Sequence, residues 1–119
     1  MNFLKGTVKD GALTFGAVTF DLTKKLGADA ARYEGKELVL GFRPEGIVLG
    51  EEENAYRVPA SVELTEMLGD NTNVYVDIAD RKAILKVDPH DTPDIDSQIV
   101  FSIPLEHVYL FDGETERRI

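Results

Sequence analysis

Apolar and polar residues alternate with a period of two along most of this chain, and short turn-forming clusters punctuate the alternation. That pattern predicts strands with one buried face. Phe3 to Val8 is the first, ending at Lys9-Asp10-Gly11. Ala12 to Phe15 and Val18 to Leu22 read as hairpin arms around Gly16-Ala17, where glycine supplies positive φ. Glu37 to Phe42 follows. In the stretch Tyr56 to Met67, Val58, Ala60, Val62 and Leu64 fall on one face, with Pro59, Ser61, Glu63 and Thr65 on the other. Leu68-Gly69-Asp70-Asn71 breaks that strand, and Asn73 to Ile78 pairs back with Val74, Val76 and Ile78 inward. Ala79-Asp80-Arg81-Lys82 turns into a strand over Ala83 to Val87. Asp88 to Ser97 is a loop, and Gln98 to Ile103 and Val108 to Phe111 are strands flanking a corner at Pro104-Leu105-Glu106-His107. Asp112-Gly113 closes a turn before the tail Glu114 to Ile119.

Two segments leave this rhythm. Lys24, Lys25, Leu26 and Ala28 through Tyr33 read as a short helix capped by Thr23, with Gly27 a weak point inside it. At Leu40-Gly41-Phe42-Arg43-Pro44-Glu45-Gly46-Ile47 the apolar residues run up to a charged corner. Pro44 fixes φ and has no N–H to donate, so the strand stops there. Many short strands with regular turns and one short helix predict a mainly β fold, a barrel or sandwich. No linker composition divides the chain, which suits one unit over residues 1–119 and leaves room for two strand-rich halves meeting near the Gly50 to Asn54 tip.

Composition narrows the function classes. A length of 119 residues suffices to bury a sizeable core. No apolar run approaches the roughly 20 residues of a spanning helix, and Met1 to Gly6 lacks the basic start and apolar core of a signal peptide. The absence of cysteine excludes disulfides, thiolate catalysis and cysteine zinc sites, in keeping with a reducing cytoplasm. A net charge of −9 repels nucleic acid, and the basic pairs Lys24-Lys25 and Arg117-Arg118 are too small to reverse that.

Candidate chemistry is thin. No glycine-rich phosphate loop of the Gly-x-x-x-x-Gly-Lys-Ser/Thr kind occurs, so no ATP site is expected within this chain. Asp88, Asp91, Asp94 and Asp96 crowd around His90, but the calcium-loop order fails at its central glycine and closing glutamate. With Pro89 and Pro93 stiffening it, the segment reads as a solvated acidic loop rather than a metal site. His90 and His107 stand apart from any nucleophile context, and Ser61, Ser97 and Ser102 lie in or beside strands. Neither a catalytic residue nor a cofactor or metal ligand is expected. Glu51-Glu52-Glu53 reads as a solvated tip whose charges discourage edge pairing.

Four segments in order carry a family resemblance: Met1-Asn2-Phe3-Leu4, Gly41 to Ile47, Leu68-Gly69 with Thr72 and Val74-Tyr75-Val76, and Pro104 with His107, Leu110-Phe111-Asp112 and Arg117-Arg118-Ile119. Together they resemble the C-terminal regulatory region of sugar-importer ABC ATPases of the maltose and glycerol-phosphate type. The resemblance implies an OB-like β-barrel with a TOBE module, whose strands fall chiefly at about 56–111, and an ATPase domain upstream of residue 1. That missing domain would hold ATP and magnesium. Implied partners are the same domain of a second ATPase subunit, membrane permease subunits reached through the full-length protein, and a regulatory protein. Such an assembly would sit in the cytoplasm at the inner face of the membrane. Arg43, Pro44, Glu45 and Leu68, Gly69, Asp70 are expected to be architectural. Phe42, Glu116 and the acidic loop depart from the family pattern. A second reading takes the chain as a small-ligand module, since some TOBE domains bind oxyanions such as molybdate.

Overall fold

The computed structural model describes residues 1–119. Ten strands form two antiparallel five-stranded sheets. In the first sheet the order is β10 (Tyr109–Asp112), β4 (Glu37–Phe42), β1 (Asn2–Lys9), β2 (Ala12–Phe15), β3 (Val18–Asp21). The second runs β5 (Val48–Leu49), β9 (Gln98–Pro104), β6 (Ala55–Met67), β7 (Thr72–Ile78), β8 (Arg81–Val87). The architecture is mainly β, with one short helix, α1 (Thr23–Leu26). It is about twice as long as wide, 43 × 24 × 23 Å.

Alternation builds the core directly. Leu4 and Val8 of β1, Leu38 and Leu40 of β4, and Val74, Val76 and Ile78 of β7 all point inward and are buried. One continuous cluster of 25 buried apolar residues draws from both sheets, and each fully buried Leu, Ile, Val or Phe stabilises by about 1.5–3 kcal/mol. Aromatic pairs bridge the sheets. Phe42 of β4 meets Phe101 of β9 at 5.8 Å, and Phe20 of β3 stacks on Tyr56 of β6 at 4.8 Å. The Tyr56 hydroxyl donates to the Asp21 carbonyl at 2.7 Å, so its polar tip is satisfied where its ring is buried.

Four expectations need correcting. Leu64 does not share a face with Val62: a bulge shifts the β6–β7 register between them, and Leu64 is 52% exposed. An extra residue on one strand flips every side chain beyond it. The helix does not continue to Tyr33, because Gly27 ends α1 at φ +59° and Gly27–Tyr33 forms a 3-10 segment instead. Thr23 does not cap it either; Asp21 accepts the Thr23 N–H at 3.0 Å and its hydroxyl at 2.6 Å. Finally, the two strand-rich halves do not meet at the Gly50–Asn54 tip. The chain crosses between sheets at Arg43–Ile47 and returns at Leu105–His107, and the tip joins β5 to β6 within the second sheet.

Candidate functional site

The crossing at Arg43–Ile47 is where the most side-chain chemistry converges. Gly46 N–H closes the corner onto the Arg43 carbonyl at 2.9 Å. The Pro44 carbonyl accepts from the Lys86 N–H of β8 at 2.8 Å. Two residues earlier on β8, the Asn2 side chain accepts the Ile84 N–H at 2.9 Å and donates to the Ile84 carbonyl at 2.8 Å. The outer edge of β8 is thus satisfied by the head of β1 and by the corner, which seals one sheet to the other.

The return crossing packs beside it. Arg43, Glu45, Gly46, His107 and Tyr109 line a recess of about 250 Å³. The Arg43 guanidinium lies 5.8 Å from the Tyr109 ring centroid and that of Arg118 lies 4.8 Å from it. Neither guanidinium has a carboxylate within 4.0 Å. The tail that carries Arg118 is held to β10 by backbone bonds, Asp112 N–H to Arg117 carbonyl and Ile119 N–H to Leu110 carbonyl, each 2.8 Å. Arg43, Tyr109 and Arg118 therefore come from three separate segments and meet at one point.

Leu68, Gly69 and Asp70 occupy a different connection, the β6–β7 turn. Leu68 N–H bonds the Asn71 carbonyl at 2.9 Å, Gly69 adopts φ +90°, and Leu68 is exposed. Glycine is the residue that takes this backbone geometry without strain. The six motif residues thus form two groups, and only the Arg43–Glu45 group touches the inter-sheet seam.

Elsewhere the polar groups serve local structure. Asp88 accepts the His90 N–H at 2.9 Å and caps the 3-10 turn Pro89–Asp91, and no three His, Asp or Glu side chains converge to hold a metal ion. Ser102 donates to the Gly50 carbonyl at 2.7 Å and accepts the Glu52 N–H at 3.0 Å, fixing the acidic tip. Ser61 bonds Gln98, and Ser97 bonds the Asp94 carbonyl, so the serines are engaged away from both histidines. Shifted acidities mark turns. The hydrogen bond from Lys82, then the Asp80 N–H, holds the Asp77 carboxyl below its usual range, while Asp77 and then Glu63 push Lys82 up. Thr23 lowers Asp21, and the N–H groups of Thr115 and Glu114 lower Asp112. Burial, then the Asp21 charge, raises the Tyr56 phenol.

Sequence reasoning missed Asn2, Tyr109 and Arg118 as structural contacts. Arg118 carried a signal as part of a paired arginine. Asn2 carried one only as part of the Met1-Asn2-Phe3-Leu4 segment, and Tyr109 none beyond its place on an alternating strand, because their partners lie far off in the chain.

Comparison with known proteins fits this geometry in two overlapping segments. Residues 1–47 match the MalK OB fold domain, and residues 40–111 match the TOBE domain. The overlap falls on the corner. The chain belongs to the TOBE domain family. Over its full length this TOBE chain is 29% identical to the sn-glycerol-3-phosphate import ATP-binding protein UgpC of Salmonella typhimurium and 29% identical to the oligosaccharides import ATP-binding protein MsmX of Bacillus subtilis. It spans about a third of the length of these curated relatives, 33% and 34%. Its fold also resembles that of the cytoplasmic molybdate-binding protein ModG, seen in crystals with molybdate bound, at TM-score 0.64 and 20% identity over 92% of this chain and 94% of that one.

Proposed function

We propose that residues 1–119 act as one regulatory and dimerisation domain of the ATP-binding subunit of an ABC importer for sugars or related carbohydrates. The observation that carries this is the ordered match of OB and TOBE segments along a chain aligned end to end with import ATP-binding proteins. The domain has no catalysis of its own. ATP and magnesium belong to the ATPase domain, in the two thirds of the relatives that this chain does not span. It pairs with the same domain of a second subunit and holds the two ATPase units together while their nucleotide sites open and close. A regulatory protein bound to it favours one state through differential affinity. Permease subunits are reached through the full-length protein, at the inner face of the membrane, and nucleic acid is not a partner. Arg43, Pro44 and Glu45, with Leu68, Gly69 and Asp70, serve as scaffold. Light scattering on the chain across a concentration series tests the pairing: mass rising toward twice the monomer is expected, and a constant monomer mass up to millimolar concentration refutes pairing by this domain.

One observation favours a second reading, an oxyanion-sensing module: Arg43 and Arg118 meet at Tyr109 without a carboxylate partner. Guanidinium groups left free in this way suit oxyanions. Calorimetric titration with molybdate, sulfate and a sugar panel decides it; no heat with any of them eliminates this reading.

A further inference from the structure

Two five-stranded sheets expose strand edges, and an uncovered edge is a template for another chain. Nearly all edges here are short or occupied. β5 has two residues and β3 four. The edge of β10 is taken by the tail, through an antiparallel bridge of Phe111 with Arg118 and the bonds at Asp112 and Ile119. That of β8 is bonded by Asn2 and Pro44.

The second half of β6 stands out by combining a free edge with exposed apolar side chains. Its partner β9 stops at Gln98 opposite Ser61, and Val62 is still bonded by Ser97 and Asp96. From Glu63 to Met67 the strand pairs only with β7, and no other backbone bond reaches it. Exposed apolar side chains gather at this overhang. Leu64 is 52% exposed and Met67 69%; Leu68 in the turn and Ile95 beside the bonded Asp96 are exposed as well. These are four of the nine large apolar residues that the molecule leaves exposed. The two glutamates, which would ordinarily guard such an edge, are drawn toward β7 and β8. Glu63 accepts from Lys82 at 2.9 Å, and Glu66 accepts from Asn73 at 3.5 Å and Tyr75 at 3.4 Å.

We propose that Glu63–Met67 of β6 pairs antiparallel with the same segment of a second copy, joining the second sheets of the two copies into one. This rests on the dimerisation reading above and names its surface. The charge pattern admits a second copy here and disfavours one register. With the two-fold axis at Thr65, the centre of the free run, Leu64 faces Glu66 of the second copy and Glu63 faces Met67, so no carboxylate opposes another. Moving the axis to the midpoint of Leu64 and Thr65 sets Glu63 against Glu66 twice, and like charges directly opposite destabilise a pair. A pairing of five residues a side is smaller than the roughly 1,200–2,000 Å² of a standard interface, so association of the isolated chain is weak and calls for millimolar concentration or a covalent trap.

The chain has no cysteine, so one introduced thiol reports on one contact. Thr65→Cys sits on the axis and is expected to form a disulfide-linked dimer under mild oxidation, while Glu51→Cys, an equally accessible thiol at the acidic tip, does not. Leu64→Lys with Met67→Lys, both at exposed positions, is expected to abolish the concentration-dependent rise in mass at unchanged melting temperature. A wild-type dimer that persists in the double lysine variant, with Thr65→Cys linking no faster than Glu51→Cys, overturns this surface and leaves dimerisation standing. A monomer at every concentration, with no Thr65→Cys link, overturns both.

Discussion

The Arg43-Pro44-Glu45 corner and the Leu68-Gly69-Asp70 turn are both short charged connections that end a strand, yet they are held in different ways. The corner is gripped from outside its own segment. Lys86 bonds the Pro44 carbonyl, Tyr109 lies beneath Arg43, and Phe42 immediately before it is fully buried against Phe101. The turn is held chiefly by its own backbone, through Leu68 and Asn71, and its apolar residue faces outward. Two motifs of equal prominence in the sequence thus have unequal tertiary support. The corner is committed within one copy, whereas the turn stands beside a strand edge with capacity to spare.

Perturbations on the two sides should separate accordingly. Phe42→Ala, which empties the seam beside the corner, is expected to cost about 3–5 kcal/mol in denaturant unfolding. Asn2→Ala removes both side-chain bonds to Ile84 and exposes the β8 edge; about 1–3 kcal/mol is expected. At the turn, Gly69→Ala forces a side chain into φ +90° and should cost about 1–2 kcal/mol, an effect of backbone strain alone. Leu68→Ser should stay within about 0.5 kcal/mol, as for surface positions generally. A Leu68→Ser loss comparable to that of Phe42→Ala would erase the contrast.

Acidity sharpens the same contrast at smaller scale. Asp77, Asp21 and Asp112 have folded values below their ordinary 3.8, so each contributes stability above that pH and loses it as pH falls through the lowered value. Lys82 and Tyr56 are raised above 10.5 and 10.0, so their contributions are complete below those values and fade as pH rises past them. Thermal melting across pH should therefore show a plateau bounded by a fall below about pH 4 and another above about pH 10. Lys82→Met should lower the plateau slightly and remove part of both falls, because Asp77 loses its partner.

Much of this was legible in the alternation. Strand positions, the one-sided burial of β1, β4 and β7, and the corner at Pro44 follow from residue order, because a period of two maps directly onto a buried face. What escaped depends on distance or on a single inserted residue. The bulge after Val62 carries no signature in Glu63 or Leu64, yet it turns Leu64 outward and creates the exposed overhang. Asp21 outcompetes Thr23 at the head of α1 because its carboxylate reaches both the Thr23 N–H and hydroxyl. The meeting of Arg43, Tyr109 and Arg118 is a product of the return crossing, so no local spacing announces it. Family resemblance connected these segments in order; the fold shows that they also adjoin in space.

Hydrogen exchange of the wild-type chain at low and at millimolar concentration puts the central claim to its most direct test. Amides of Ile84 and Lys86, bonded by Asn2 and Pro44, should be protected at both concentrations, whereas those amides of Glu63 to Met67 that point away from β7 should gain protection only when the chain is concentrated. Exchange at Glu63 to Met67 that ignores concentration, or protection that appears at Arg43 to Ile47 instead, would contradict the account.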